Sequence, residues 1–165
     1  LLNVIFGGNM SSRLFEELRE KNGLCYDISS SYKRHSDAGE MHIHAGVDMR
    51  KATRSLAAVT GEIKRIKDDG VTPDELERAK RYTKGQFELA MEATSTRMLW
   101  LGDRSMVHGR VPGVKEVLKN IDAVSEEDVL KAARVIFRKD RARMAVVGNV
   151  PEKNKKIMNR ELYGL

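Results

Sequence analysis

The clearest periodicity in the chain lies in "EMHIHAGVDM", residues 40–49, where Met41, Ile43, Ala45, Val47 and Met49 alternate with Glu40, His42, His44, Gly46 and Asp48. A period of two marks a strand with one apolar face. Just upstream, Leu24, Tyr26, Ile28 and Tyr32 share one parity, which predicts a second strand with Cys25 on its opposite, structural face. Only "RHSDAG" separates the two, so they are expected to pair as an antiparallel hairpin.

Elsewhere the period is helical. Ser11 and Ser12 are N-cap types ahead of Leu14, Phe15 and Leu18, and Asn22-Gly23 offers a left-handed stop, predicting a helix over 12–21. Before it, Leu1 to Phe6 reads as the end of a helix running into Gly7-Gly8. After the hairpin, Ala52, Leu56, Val59, Ile63 and Ile66 step by four and three, a buried helical stripe that Gly70 ends. Thr72-Pro73-Asp74-Glu75 combines a cap, a proline at the first helical position and a glutamate three residues after the cap. That helix is expected to reach Glu92. Further helices are predicted from Thr94, with Met98, Leu99 and Leu101, then to about Asn120, and from Ser125, with Val129, Ala133, Ile136 and Phe137 facing inward. "ARMAVVGNV", 142–150, is predicted to close as a strand. This order predicts an α+β fold in which helices stack on one face of a largely antiparallel sheet.

The chain has 165 residues, 41% hydrophobic and 33% charged, enough for one domain with its own core. No apolar run approaches the roughly 20 residues of a membrane-spanning helix, so a membrane is not an expected partner. Of the net charge of +6, the segment from Lys131 onward supplies more than the whole excess, with ten Lys or Arg against three Asp or Glu. It carries two aromatics, Phe137 and Tyr163, and no nucleic-acid motif, so a solvated basic face is expected rather than nucleic-acid binding. A basic-surface binder would instead show steeply salt-dependent association. Cys25 is the single cysteine, which rules out an internal disulfide and fits a reducing compartment, the cytoplasm or alternatively an organelle matrix.

Local candidates for chemistry are few. His42 and His44 fall on one strand face about 7 Å apart, but a third ligand is not evident and no HxxEH or cysteine pair exists, so two histidines on a polar face are expected. His35-Ser36-Asp37 holds the residue types of a triad, yet consecutive residues cannot converge as such catalysis requires, and a loop is expected there. Gly7-Gly8 lacks the flanking pattern of a phosphate cradle and reads as a bend between helices.

One longer pattern is more specific. "FGGNMSSRLFEELREKNGLCYDISSSY" closely resembles the hallmark stretch of the C-terminal domains of pitrilysin/insulinase-type zinc metallopeptidases, including the mitochondrial-processing-peptidase branch. The resemblance rests on Gly7-Gly8, Met10 to Phe15, Leu18 to Lys21, Gly23-Leu24, Tyr26 and Ser29 to Ser31. It extends more loosely through "GVTPDELERAKRYTKGQFELAMEATSTRM" and "IDAVSEEDVLKAARVIF".

The resemblance implies a half-domain of the LuxS/processing-peptidase-like type. Residues 1–165 would be a single C-terminal substrate-binding domain of a longer peptidase, with the N-terminal strand of the fold lying outside them. Zinc would be bound by HxxEH on an N-terminal domain or partner subunit and not in this chain, and a glutamate base there would activate water. The matching C-terminal domains contribute an arginine and a tyrosine seven positions apart, which fall on Arg19 and Tyr26. A guanidinium and a phenol near one edge can hydrogen-bond a peptide carbonyl, more tightly as its oxygen gains negative charge. The expectation is therefore a zinc metalloendopeptidase component, inactive when isolated, whose partners are a peptide substrate and the zinc-bearing domain or subunit, with a homo- or heterodimer allowed. The alternative is a scaffold or regulatory subunit of the same family. Ordinary structural roles stand beside these: Arg19 as a helix C-terminal cation, Tyr26 as a core aromatic.

Overall fold

A computed structural model describes residues 1–35 and 37–164. A short helix α1 (Leu2–Phe6) leads into a tight passage at Gly7 and then into a π-helix (Phe15–Lys21). The hairpin β1 (Cys25–Arg34) and β2 (Gly39–Val47) follows. Helices α2 (Ala52–Asp68), α3 (Pro73–Glu92), α4 (Thr94–His108), α5 (Val114–Asp122), α6 (Glu126–Ile136) and α7 (Glu152–Leu162) complete the order. The α+β class with an antiparallel sheet and packed helices is thus as the alternation of periods predicts, although among the described residues the sheet has only two strands.

The core forms where the inner face of the hairpin meets the helices. Leu2, Ile5 and Phe6 of α1, Leu14 and Leu18 around the π-helix, Ile28 of β1, and Val59, Ile63 and Ile66 of α2 are all buried in one cluster. Phe6 packs at a tilt of 47° against Phe137 beyond α6 with ring centroids 4.8 Å apart, closing the cluster from the far side. Gly7 carries the chain over β1: its carbonyl accepts the Ser30 N–H at 2.8 Å. A Cβ at Gly7 would lie 2.8 Å from the Ser30 Cβ, so only glycine permits this approach. The Gly7-Gly8 bend is therefore a packing device.

Thr72 and Ser125 cap α3 and α6 as full capping boxes, with Glu75 and Asp128 as the reciprocal partners. The outer helices are less committed. No residue of α5 is buried, and Met98, Leu99 and Met106 of α4 are exposed, with Trp100 set edge-on to Phe87 at 5.7 Å.

Three expectations are corrected. First, 142–150 does not join the sheet. Ala142 is extended at ψ 133°, but the segment has no ladder partner among the described residues and Val147 is 100% exposed. Alternation specifies an extended chain with an apolar face, whereas a strand also needs a neighbour to complete its hydrogen bonds. Second, a register shift between Cys25 and Asp27 breaks the parity of β1. Cys25 and Ile28 are both buried, and Tyr26 is turned outward. Third, Ile136 is 44% exposed although Val129, Ala133 and Phe137 are buried, because α6 ends there and the chain turns Phe137 inward instead. Residues 152–162 form α7, which buries Met158 and accepts a hydrogen bond from the Thr60 hydroxyl on Glu161 at 2.8 Å, while Lys153, Lys155, Lys156 and Arg160 stay exposed as the basic surface expected there.

Candidate functional site at the helix-to-strand turn

The motif segment folds as a helix of unusual winding. Residues 13–14 are α-helical and Phe15–Lys21 continue as a π-helix, the rarer i to i+5 form that is concentrated at functional positions. Ser12 does not cap it by its side chain; its hydroxyl donates to the Asn9 carbonyl at 2.6 Å. The helix is closed by a reversal. Gly23 N–H donates to the Arg19 carbonyl and Leu24 N–H to the Leu18 carbonyl, at 3.2 and 2.7 Å, with Gly23 at φ +54°. This nested pair is a Schellman-like closure, one residue wider than at the end of an α-helix, and it needs a left-handed residue after the helix.

The reversal is braced from the first turn of α2 and the residue that precedes it. The Lys51 ammonium donates to the Gly23 carbonyl at 2.7 Å, and the Arg54 guanidinium to the Asn22 side-chain carbonyl at 3.2 Å. Asn22 in turn donates its amide to the Glu17 carbonyl at 2.8 Å. Side chains from the helix, the turn and α2 thus hold the segment between Arg19 and Tyr26.

The β-bulge then aims Tyr26. Placed as the extra residue between Cys25 and Asp27, it projects from the sheet and is 86% exposed. Its ring centroid lies 5.5 Å from the Arg19 Cζ, and the Phe15 ring lies 4.8 Å from the same atom. Contacts of this length are cation–π contacts, which hold a guanidinium without engaging its N–H donors in hydrogen bonds. Among the described residues no hydrogen-bond partner holds either the Arg19 guanidinium or the Tyr26 hydroxyl. Two exposed donor groups therefore stand together, seven residues apart in sequence.

Neighbouring groups are occupied otherwise. Burial, and then Asp27, pushes the Cys25 thiol up, against the smaller pull of Arg19, which disfavours the reactive thiolate. Lys21 is paired with Glu16 at 3.1 Å. Arg13, within the same motif, points away to Glu75.

On the outer hairpin face, His42 and His44 are exposed opposite Ser31 and Ser29. His42 meets Glu40 at 2.8 Å and His44 approaches Asp27 at 3.8 Å. Among the described residues no group of three or more potential ligands is gathered that would hold a metal ion. The described donor set therefore does not fit zinc. His35 and Asp37 border Ser36, which lies outside the described residues.

The site is only partly visible in the sequence. Arg19 and Tyr26 are brought together as expected of the pair. The apolar pattern marks Phe15 as a core position alone, although an aromatic four residues before a cation is a helical-neighbour signal. The braces Lys51 and Arg54 carry no signal at all, because they reach the turn across 28 and 32 residues.

Comparison with known proteins gives the class. Residues 1–83 match the family model described as the peptidase M16 inactive domain. The chain belongs to this family, the inactive-domain family of the M16 zinc-protease-like proteins. An uncharacterized zinc protease of Bacillus subtilis, YmxG, is 32% identical over 154 residues, covering 92% of this chain and 37% of its own length. An uncharacterized zinc protease of Streptomyces coelicolor is 32% identical over 153 residues, covering 93% and 33%. This chain thus spans about a third of the length of the curated relatives it matches.

Solved structures agree on the fold. A conserved protein from Enterococcus faecalis superposes with a TM-score of 0.73 at 26% identity, covering 81% of this chain and 31% of that one. A peptidase M16 inactive domain from Pseudomonas fluorescens gives 0.72 at 24% identity, covering 81% and 32%. No helix among the described residues is long and apolar enough to cross a membrane.

Proposed function

We propose that this chain is the substrate-binding domain of a zinc-dependent endopeptidase, with Arg19 and Tyr26 hydrogen-bonding a carbonyl of the bound peptide. The observation that carries the reading is the pair itself: an exposed guanidinium and an exposed phenol, stacked together, with their donors free. Such donors stabilise a carbonyl oxygen most when it gains charge, so they serve orientation and the charge build-up of peptide hydrolysis.

Zinc and the water-activating base belong, in this reading, to the remainder of the protein, whose relatives are named zinc proteases and are about three times as long. Hydrolysis then needs that zinc-bearing part, fused or as a separate subunit, and this chain alone is inactive. A soluble compartment such as the cytoplasm, and a processing-type specificity, go with the reading.

The test uses the full-length protein carrying Arg19→Ala and Tyr26→Phe. Loss of one such donor lowers turnover by roughly 100-fold or more, and zinc content and thermal midpoint are expected to stay at wild-type values. Unchanged hydrolysis would return both residues to structural roles, whereas no hydrolysis by the wild-type protein either would favour a scaffold or regulatory subunit.

A further inference from the structure

We propose that Phe15 is a positioning residue for the site, acting through Arg19; the inference rests on the substrate-binding reading above. Arginine carries long, freely rotating methylene linkages, and holding its head group in one place normally takes an ion pair or hydrogen bonds. Arg19 has neither among the described residues. What holds its guanidinium beside the Tyr26 ring is the aromatic face of Phe15, 4.8 Å from Cζ and closer than Tyr26 itself at 5.5 Å.

Phe15 is suited to this because its two sides differ. It is half-buried, packed against the core cluster beside Leu14 and Leu18, so its ring is anchored. Arg19 and Tyr26 are exposed, so neither supplies an anchor of its own. The π-helix begins at Phe15 and encloses Arg19 one wide turn later. A ring fixed by the core thereby becomes the base on which a solvent-facing cation rests. A carboxylate in the same place would hold the arginine equally well but would consume the N–H donors that a peptide carbonyl needs. An aromatic ring orients the cation and leaves those donors unspent.

Four variants of the full-length protein decide it: Phe15→Leu, Phe15→Tyr, Arg19→Ala, and Phe15→Leu combined with Arg19→Ala. Peptide hydrolysis by Phe15→Leu is expected to fall about 2–5-fold in kcat/KM, the range of one exposed cation–π contact. Phe15→Tyr, which keeps the ring, is expected to restore wild-type rates. The double variant should be no slower than Arg19→Ala. A purely packing role predicts the opposite, since its effect would persist without Arg19 and would follow the thermal midpoint.

Crystal structures of the Phe15→Leu and Phe15→Tyr proteins supply a readout independent of activity. The Arg19 side chain should scatter over several rotamers in the first and keep its place in the second. If Arg19 stays beside Tyr26 in Phe15→Leu, or the loss adds in full on the Arg19→Ala background, the positioning role is overturned. If Arg19→Ala hydrolyses peptide at the wild-type rate, it is the substrate-binding reading that fails, while the crystal structures still decide what Phe15 does to Arg19.

Discussion

Arg13 and Glu75 are 62 residues apart in sequence and meet in a two-pronged ion pair, Nε to Oε1 at 2.6 Å and Nη2 to Oε2 at 2.7 Å. The same guanidinium donates to the Gly70 carbonyl at 2.9 Å. Glu75 also accepts the Thr72 N–H at 2.8 Å, so one carboxylate closes the capping box of α3 and ties it to the start of the motif helix. Side chains on both sides are less than a fifth exposed. Arg13→Ala would leave Glu75 half-buried without its counter-charge, at a cost of about 2–3 kcal/mol. Denaturant unfolding should show a lower midpoint with the slope retained. A midpoint equal to wild type would mean the pair contributes nothing.

Glu75 also makes the fold acid-sensitive. Burial alone would raise its pKa, but the Arg13 hydrogen bonds, the Thr72 N–H and the adjacent positive charge hold it down, to about 2 against an ordinary value of 4.5. Between those two values the unfolded chain binds more protons than the folded one, so stability is present above about pH 4.5 and is lost as pH falls toward 2. The amount is on the order of 3 kcal/mol. Glu75→Gln should therefore be less stable than wild type at pH 7, with the gap narrowing through this window. A gap independent of pH would refute the linkage.

Glu62 carries the opposite sign. It is 2% exposed at the edge of an open cleft of about 260 Å³ between the π-helix, α2 and α3. Burial pushes its pKa up, more than Arg65, paired with it at 2.8 Å, pulls it down, while Glu17 pushes it up further. Its ionised form is thus a burden at neutral pH that acid relieves. Arg65 is mostly exposed and loses little when unpaired. Glu62→Gln should stabilise the fold by about 1 kcal/mol at pH 7, with the gain shrinking as pH falls through the raised pKa. Thermal unfolding at two pH values measures this, and a destabilised variant would contradict it.

At Gly23 the space around an added Cβ is empty, yet φ is +54°. The cost of a side chain there is conformational rather than steric contact with neighbours. Gly23→Ala should cost about 1–2 kcal/mol and Gly23→Asn less, since asparagine tolerates the left-handed region. Equal costs for the two would point to a contact made by the longer side chain. Because this turn joins Arg19 to Tyr26, the alanine variant should also slow hydrolysis by the full-length protein more than its stability loss explains.

Legibility in the sequence differs by element. Helices α2, α3 and α6 are readable because their signals are local: a buried stripe with a period near 3.6, preceded in α3 and α6 by a Thr or Ser with Glu or Asp three residues on. The hairpin is readable for the same reason. A strand over 142–150 is not, since alternation describes one chain and pairing involves two. Arg19 and Tyr26 can be named from the motif, while the apolar pattern marks Phe15 only as core.

Local patterning along the chain sets where the capped helices begin, which faces are apolar, and that an arginine and a tyrosine flank a glycine turn. Those are properties of neighbours within about one turn or one strand pair, where backbone geometry and solvent preference act without help. Which way these side chains point is set by packing between elements distant in sequence. A single extra residue at Tyr26 reverses a strand's inward and outward faces, and the i to i+5 winding over Phe15–Lys21 sets Arg19 against Phe15. Both depend on Leu14, Leu18, Cys25 and Ile28 being buried together. The core fixes those four, and the π-turn and the bulge between them absorb the mismatch at the surface.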